Sequence, residues 1–129
     1  MNMQEFADAL AAKDLERYSA WFADDMRLYT PIHEEPIVGK QAACQILPVV
    51  FSIFGNFHYP DLIVGQQTHA LFFRAEIDAI ALEGIDYVRT DENGLVTEFN
   101  VMMRPLAAIT ALSTAIGAKV QEGQRKEPV

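Results

Sequence analysis

The stretch GIDYVRTDENGLVTEFNVMM, Gly84 to Met103, carries the pattern that decides the fold. Two alternating runs flank Asn93-Gly94, a dipeptide that accepts the positive φ angles of a tight type I′ connection, so the segment reads as a β-hairpin. On its first strand Asp86 and Val88 share one face and Tyr87 and Arg89 the other. On the second, Thr97, Phe99, Val101 and Met103 form a mostly apolar row. A carboxylic acid entering such a layer is costly unless it is neutralised, paired or put to use. Asp86 is the residue that needs a reason.

Upstream of the hairpin the period-two signal continues. Residues 57–64 read as one strand and residues 69–82 as a long one, with Leu71, Phe73, Ala75, Ile77 and Ala79 facing one way and Arg74, Glu76 and Asp78 the other. The first part of the chain is helical in pattern. Residues 4–12 place Phe6, Ala9 and Leu10 on one side. Asp14 can cap a second helix, 15–23, with Leu15, Tyr18, Trp21 and Phe22 as its buried stripe. A short strand, 26–29, and a loop, 30–36, lead to a very apolar helix over 40–54, which Pro48 is predicted to kink or split. A last helix, 106–118, follows Pro105, with Leu106, Ile109, Leu112 and Ile116 on one side. Helices, then consecutive antiparallel strands, then a closing helix make an α+β fold, its helices on one face of a curved antiparallel sheet. The chain reads as a single domain over 1–120 with a polar tail at 121–129.

Composition narrows the function. With 129 residues, half of them apolar, the chain holds one core. A net charge of −8 speaks against a nucleic-acid surface, because phosphate binding needs a basic stripe. Cys44 is the lone cysteine, so no intrachain disulfide forms and no oxidising compartment is implied. No basic, apolar leader and no run long enough for a bilayer is visible, so a cytoplasmic protein away from membranes is the expectation. Three dispersed histidines lack metal-ligand spacing, and neither a metal nor an organic cofactor is expected.

Four segments carry a resemblance: KDLERYSAWFADDMRLYTP from Lys13, PIVGKQA from Pro36, GIDYVRTDENGLVTEFNV from Gly84, and MRPLAAITAL from Met103. Together they resemble the nuclear transport factor 2-like superfamily, which includes ketosteroid isomerases and SnoaL-like polyketide cyclases. The resemblance implies a cone: a curved sheet wrapped around three helices, enclosing a deep apolar pocket. It also implies a homodimer through the outer sheet face, which here presents Arg74, Glu76, Tyr87, Arg89, Glu98 and Asn100. Catalytic residues carry over poorly. The isomerases' basic aspartate falls at Thr30, their oxyanion tyrosine at Phe6, and two supporting tyrosines at Phe22 and Leu47. Their second oxyanion donor, an aspartic acid held neutral by apolar surroundings, matches Asp86.

The expected function is therefore binding of a small apolar or polycyclic molecule, with proton-transfer chemistry of the isomerase, cyclase or dehydratase kind, or else a non-catalytic binding or assembly role. Asp86 is the candidate acid or hydrogen-bond donor; its bland alternative is a carboxyl satisfied by a neighbouring backbone group or tyrosine. His33, in the loop three residues after Thr30, is the candidate base, or simply an exposed loop histidine. Trp21, Thr30, Phe51, Phe54, Tyr59, Phe73, Val88, Phe99 and Val101 are the expected pocket lining, though the aromatic residues among them suit any core of this size. His58 and His69 read as ordinary surface or core residues.

Overall fold

A computed structural model describes residues 2–126 of the chain. Helix α1, Met3–Ala11, starts where the Asn2 side chain accepts from the Gln4 and Glu5 amides. It ends in a left-handed Lys13, with the Asp14 amide bonding back to the Ala9 carbonyl. Lys13 Nζ also donates to the Phe54 carbonyl at 2.6 Å, tying the end of α1 to the end of the third helix. Helix α2, Leu15–Ser19, is capped by Asp14 as the sequence suggests.

Helix α2 is shorter than its apolar pattern predicts. Strand β1, Phe22–Tyr29, begins where that helix was expected to continue. The Trp21 carbonyl already accepts from the Val96 amide, and β1 lies parallel to β6, Val96–Arg104. Sheet hydrogen bonds outweigh helix propensity over these residues. Tyr18 and Phe22 are buried, whereas Trp21 is only half-buried and Leu15 is exposed. The expected stripe of four is thus two.

After β2, Ile37–Val38, helix α3 runs from Lys40 to Ile53 as one element, with Pro48 inside it rather than dividing it. Strands β3, Gly55–Val64, β4, Thr68–Ile77, and β5, Ile80–Thr90, then form an antiparallel meander with β6. The segment read as one strand over 69–82 is two strands, joined at Asp78-Ala79. Both residues have positive φ, 48° and 69°, the left-handed pair that a type I′ hairpin needs. Without a glycine, that turn gave no warning in the sequence. At the β5–β6 connection the expected type I′ turn is replaced by a longer loop. Only Gly94 is left-handed there, and one Asp91 carboxylate oxygen accepts from the Asn93 and Leu95 amides.

The six strands form one sheet in the order β2-β1-β6-β5-β4-β3. Its inner face carries Leu71, Phe73, Ala75 and Ile77 of β4, Leu82, Asp86 and Val88 of β5, and Val96 and Phe99 of β6, all buried against the helices. Arg74 and Glu76 lie exposed on the outer face, where Glu83 pairs with Arg74 and Arg104. Helix α4, Leu106–Lys126, extends six residues into the segment read as a tail, and residues 127–129 of that tail lie outside the described residues. Ala108 and Leu112 are its buried contacts, while Leu106, expected on the apolar side, is 75% exposed. Among the described residues no helix is long and apolar enough to cross a membrane.

Candidate functional site

Strand alternation delivers Asp86 to the inner face, as its spacing demands. It is 3% exposed, between its cross-strand partners Leu71 and Val101. On β3, the same alternation puts Phe57 and Tyr59 on the side facing the core. The Tyr59 hydroxyl donates to Oδ2 of Asp86 at 2.6 Å. A charged carboxyl is disfavoured here because water is excluded, so burial pushes Asp86 up from 3.8 to about 7; the Tyr59 hydrogen bond, which favours the carboxylate, pulls the other way. Burial, and secondarily the neighbouring Asp86, raises Tyr59 well above an ordinary tyrosine, so it keeps its proton.

Aromatic rings fix this pair. Phe54 stacks on Phe57 with centroids 5.5 Å apart; Tyr59 meets the edges of Phe57 at 5.1 Å and Phe73 at 6.4 Å. Such offset and edge contacts hold rings more tightly than area alone. Phe73 lies opposite Gly84 in the β4–β5 register, and the absent Cβ there is what lets its ring lie close.

Beside this cluster is a cavity of about 470 Å³, within the usual range for small-molecule sites. Leu28 of β1 and the following Thr30, Pro31, Ile32 and His33 form one wall. Ile46, Leu47 and Val50 of α3, with Phe54 at its C-cap, form the second. Leu112, Ser113 and Ile116 of α4 form the third, and Val101 of β6 closes the sheet side. Thr30 Oγ1 accepts from the Ile32 amide at 3.4 Å, and the exposed His33 stands on the same loop. The walls are overwhelmingly apolar, with Thr30, His33 and Ser113 as their polar side chains.

Of the residues expected at the pocket, Thr30, His33, Phe54 and Val101 line this cavity together. Asp86 and Tyr59 do not, although Val101 is both a wall residue and the cross-strand neighbour of Asp86. Phe73, Val88 and Phe99 are buried core, Phe51 packs on Tyr18 and Phe57, and Trp21 packs on Phe6. A tyrosine partner was one of the alternatives read for Asp86, and the structure shows it; that the tyrosine is Tyr59 was missed, although the spacing of Phe57 and Tyr59 on one strand face was there to read. The α4 wall was missed because a helix at the chain's end shows an apolar side without saying what it covers.

Of the two readings given, surface or core, His69 fits the second in the structure. It is 6% exposed, its Nε2 is 3.3 Å from Thr90 Oγ1, and its Nδ1 has no partner. Burial lowers its pKa, favouring the neutral ring. Among the described residues no three His, Cys, Asp or Glu side chains gather as metal ligands would.

A cone of curved sheet around helices, with an apolar cavity and an inward-facing aspartic acid, defines a cystatin-like α+β domain of the nuclear transport factor 2 type. The sequence profile of the SnoaL-like domain matches residues 3–99, and the chain belongs to that family. A steroid delta-isomerase from Pseudomonas aeruginosa is 26% identical, with a TM-score of 0.88 over 95% of this chain and 91% of that one. An uncharacterised protein with a cystatin-like fold from Silicibacter pomeroyi DSS-3 is also 26% identical, with a TM-score of 0.89 over 95% and 87%. An NTF2-like protein of unknown function from Cytophaga hutchinsonii, 11% identical, shares the fold with a TM-score of 0.68 over 83% and 90%. No protein of curated function matches the sequence significantly.

Proposed function

We propose that the protein binds a small, largely apolar molecule in the cavity between β1, α3 and α4, and that Asp86 moves a proton on it. The observation that carries this reading is Asp86 itself: a buried carboxyl with only one oxygen hydrogen-bonded, beside Val101 of the cavity wall. In this proposal the ligand passes Val101, which lines the cavity and pairs with Asp86, to reach the second oxygen. Neutral at moderately acid pH, Asp86 donates a proton or hydrogen bond; once ionised it takes a proton back. His33, on the loop wall, is the titratable side chain that lines the cavity itself. Thr30, where the isomerases carry their base, has no useful basicity. The chemistry proposed is therefore proton transfer of the isomerase, cyclase or dehydratase type without a cofactor. The similarity to a steroid delta-isomerase supports that class.

The outer sheet face is proposed as a homodimer surface. Phe72, Ile85 and Met102 form an apolar row across β4, β5 and β6, with Ile85 37% and Met102 48% exposed. A cytoplasmic location, where Cys44 stays a free thiol, suits this reading.

Two probes of one shape test the binding reading: 2-acetonaphthone and its hydrocarbon counterpart 2-isopropenylnaphthalene, titrated by fluorescence. Both are expected to bind, with the ketone favoured roughly tenfold by one net hydrogen bond. Asp86→Ala is expected to erase that preference while hydrocarbon binding persists. Equal affinities in both proteins remove the acid role and leave a non-catalytic binder. No binding of either probe leaves the dimeric assembly module, the second reading of this fold.

A further inference from the structure

We infer that Tyr59 is a positioning residue that fixes which oxygen of Asp86 works: its hydroxyl occupies Oδ2, so that Oδ1 alone is presented toward the open side of the site. This deepens the reading of Asp86 given above and rests on it.

The polar groups present favour one assignment of the protons, since the Tyr59 hydrogen has no other acceptor among the described residues. The Tyr59 hydroxyl has one hydrogen, and its sole hydrogen bond is to Oδ2 at 2.6 Å, so the tyrosine donates and Oδ2 accepts. In the neutral acid Oδ2 is then the carbonyl oxygen and the acid proton belongs on Oδ1. Among the described residues Oδ1 makes no hydrogen bond. Among the described residues, the one polar side-chain atom sealed from solvent without a partner is Nδ1 of His69. Oδ1 is therefore not sealed, and it accounts for part of the small exposure that Asp86 retains.

The ring of Tyr59 cannot swing away easily, because Phe57 and Phe73 pack against it in T-shaped contacts, with centroids at 5.1 Å and 6.4 Å. Those rings in turn pack on each other, with centroids 5.5 Å apart. The carboxyl plane is thereby clamped by a residue on a strand two places away in the sheet, since β3 and β5 flank β4. Without the hydroxyl, either oxygen of Asp86 can carry the proton and the side chain can rotate about its last torsion. A donor fixed before the ligand arrives costs less to organise than one that must find its orientation.

The same hydrogen bond favours the ionised carboxyl, so its removal has a sign that loss of packing alone does not produce. In ligand-free protein labelled at the aspartate carboxyl carbons, the Asp86 resonance is expected to titrate near pH 7. In Tyr59→Phe, which deletes only the hydroxyl, its midpoint is expected to move upward. An unchanged or lowered midpoint in folded Tyr59→Phe overturns the inference. If that variant does not fold, the wild-type protein decides: well above the Asp86 midpoint, where the carboxyl has no proton of its own and Tyr59 keeps its proton, exchanging the tyrosine hydroxyl for deuterium shifts the Asp86 carboxyl resonance if the bond exists, and the absence of any shift overturns it. Neither measurement involves a ligand. A failed clamp and a failed binding site are thus distinguishable: loss of naphthyl binding with a Tyr59-dependent titration removes the proposed function and leaves the clamp.

Discussion

Asp86→Asn is expected to remove about 4 kcal/mol of pH dependence from the stability of this protein between about pH 4 and about pH 8. The figure is the rise from 3.8 to about 7 in the folded state multiplied by about 1.36 kcal/mol per unit. The sign follows from which state holds the proton. Below the unfolded value both states are protonated and the neutral carboxyl sits in the core without penalty. Between the two values the unfolded chain ionises while the folded protein keeps its proton, so stability falls as pH rises. Above the folded value the loss is complete, with the carboxylate buried. His69 acts in the opposite direction: burial lowers its pKa, so it costs stability as pH falls below the ordinary histidine range. That contribution is common to both proteins and cancels in the comparison. Urea titrations of the two proteins across this range measure the difference directly. The Asn variant is expected to gain on the wild type steadily as pH rises. Parallel curves would mean that Asp86 ionises in the folded protein as readily as in water.

Gly84→Ala is expected to cost about 3 kcal/mol, the upper end of what overpacking usually does. A Cβ at Gly84 would overlap the Met102 carbonyl oxygen and stand 2.6 Å from Phe73 Cζ and 2.9 Å from Met103 Cβ. The first obstacle is backbone, and it belongs to a strand already paired with β5 over eight register positions. The second is a ring held by Phe54, Phe57 and Tyr59. Neither yields at low cost in an interior packed as tightly as a crystal. The displaced Phe73 ring presses on Tyr59, so the variant is expected to disturb the Asp86 titration as well as the urea midpoint. A loss under about 1 kcal/mol, with an unmoved titration, would show that the sheet relaxes around the methyl group.

Much of the architecture was legible because it rests on local periodicity. Alternation placed Leu71, Phe73, Ala75, Ile77, Asp86, Val88 and Phe99 on the inner face and Arg74 and Glu76 outside, and the structure agrees. Asp14 announced a helix start. Errors fell where a long-range partner overrode a local preference. Residues 20–23 have a helical pattern but are claimed by β6 through the Val96–Trp21 hydrogen bond. Residues 78–79 carry no turn signature, yet the pairing of Ile77 with Ile80 forces a reversal there. Pro48 stays inside α3 because the helix is held by burial of Ala43, Leu47 and Phe51 on both sides of it.

By itself the sequence determined the α+β class and the inward direction of Asp86, since both depend only on residue type and on neighbours a few positions away. Tertiary structure alone decided that Tyr59 reaches Asp86 from 27 residues away, that α4 supplies a cavity wall, and that Val101 both lines the cavity and pairs with the acid. Those facts depend on how far the sheet curves and where a helix comes to rest on it. Such distances are set by the packing of the whole core, and no short window of sequence contains them.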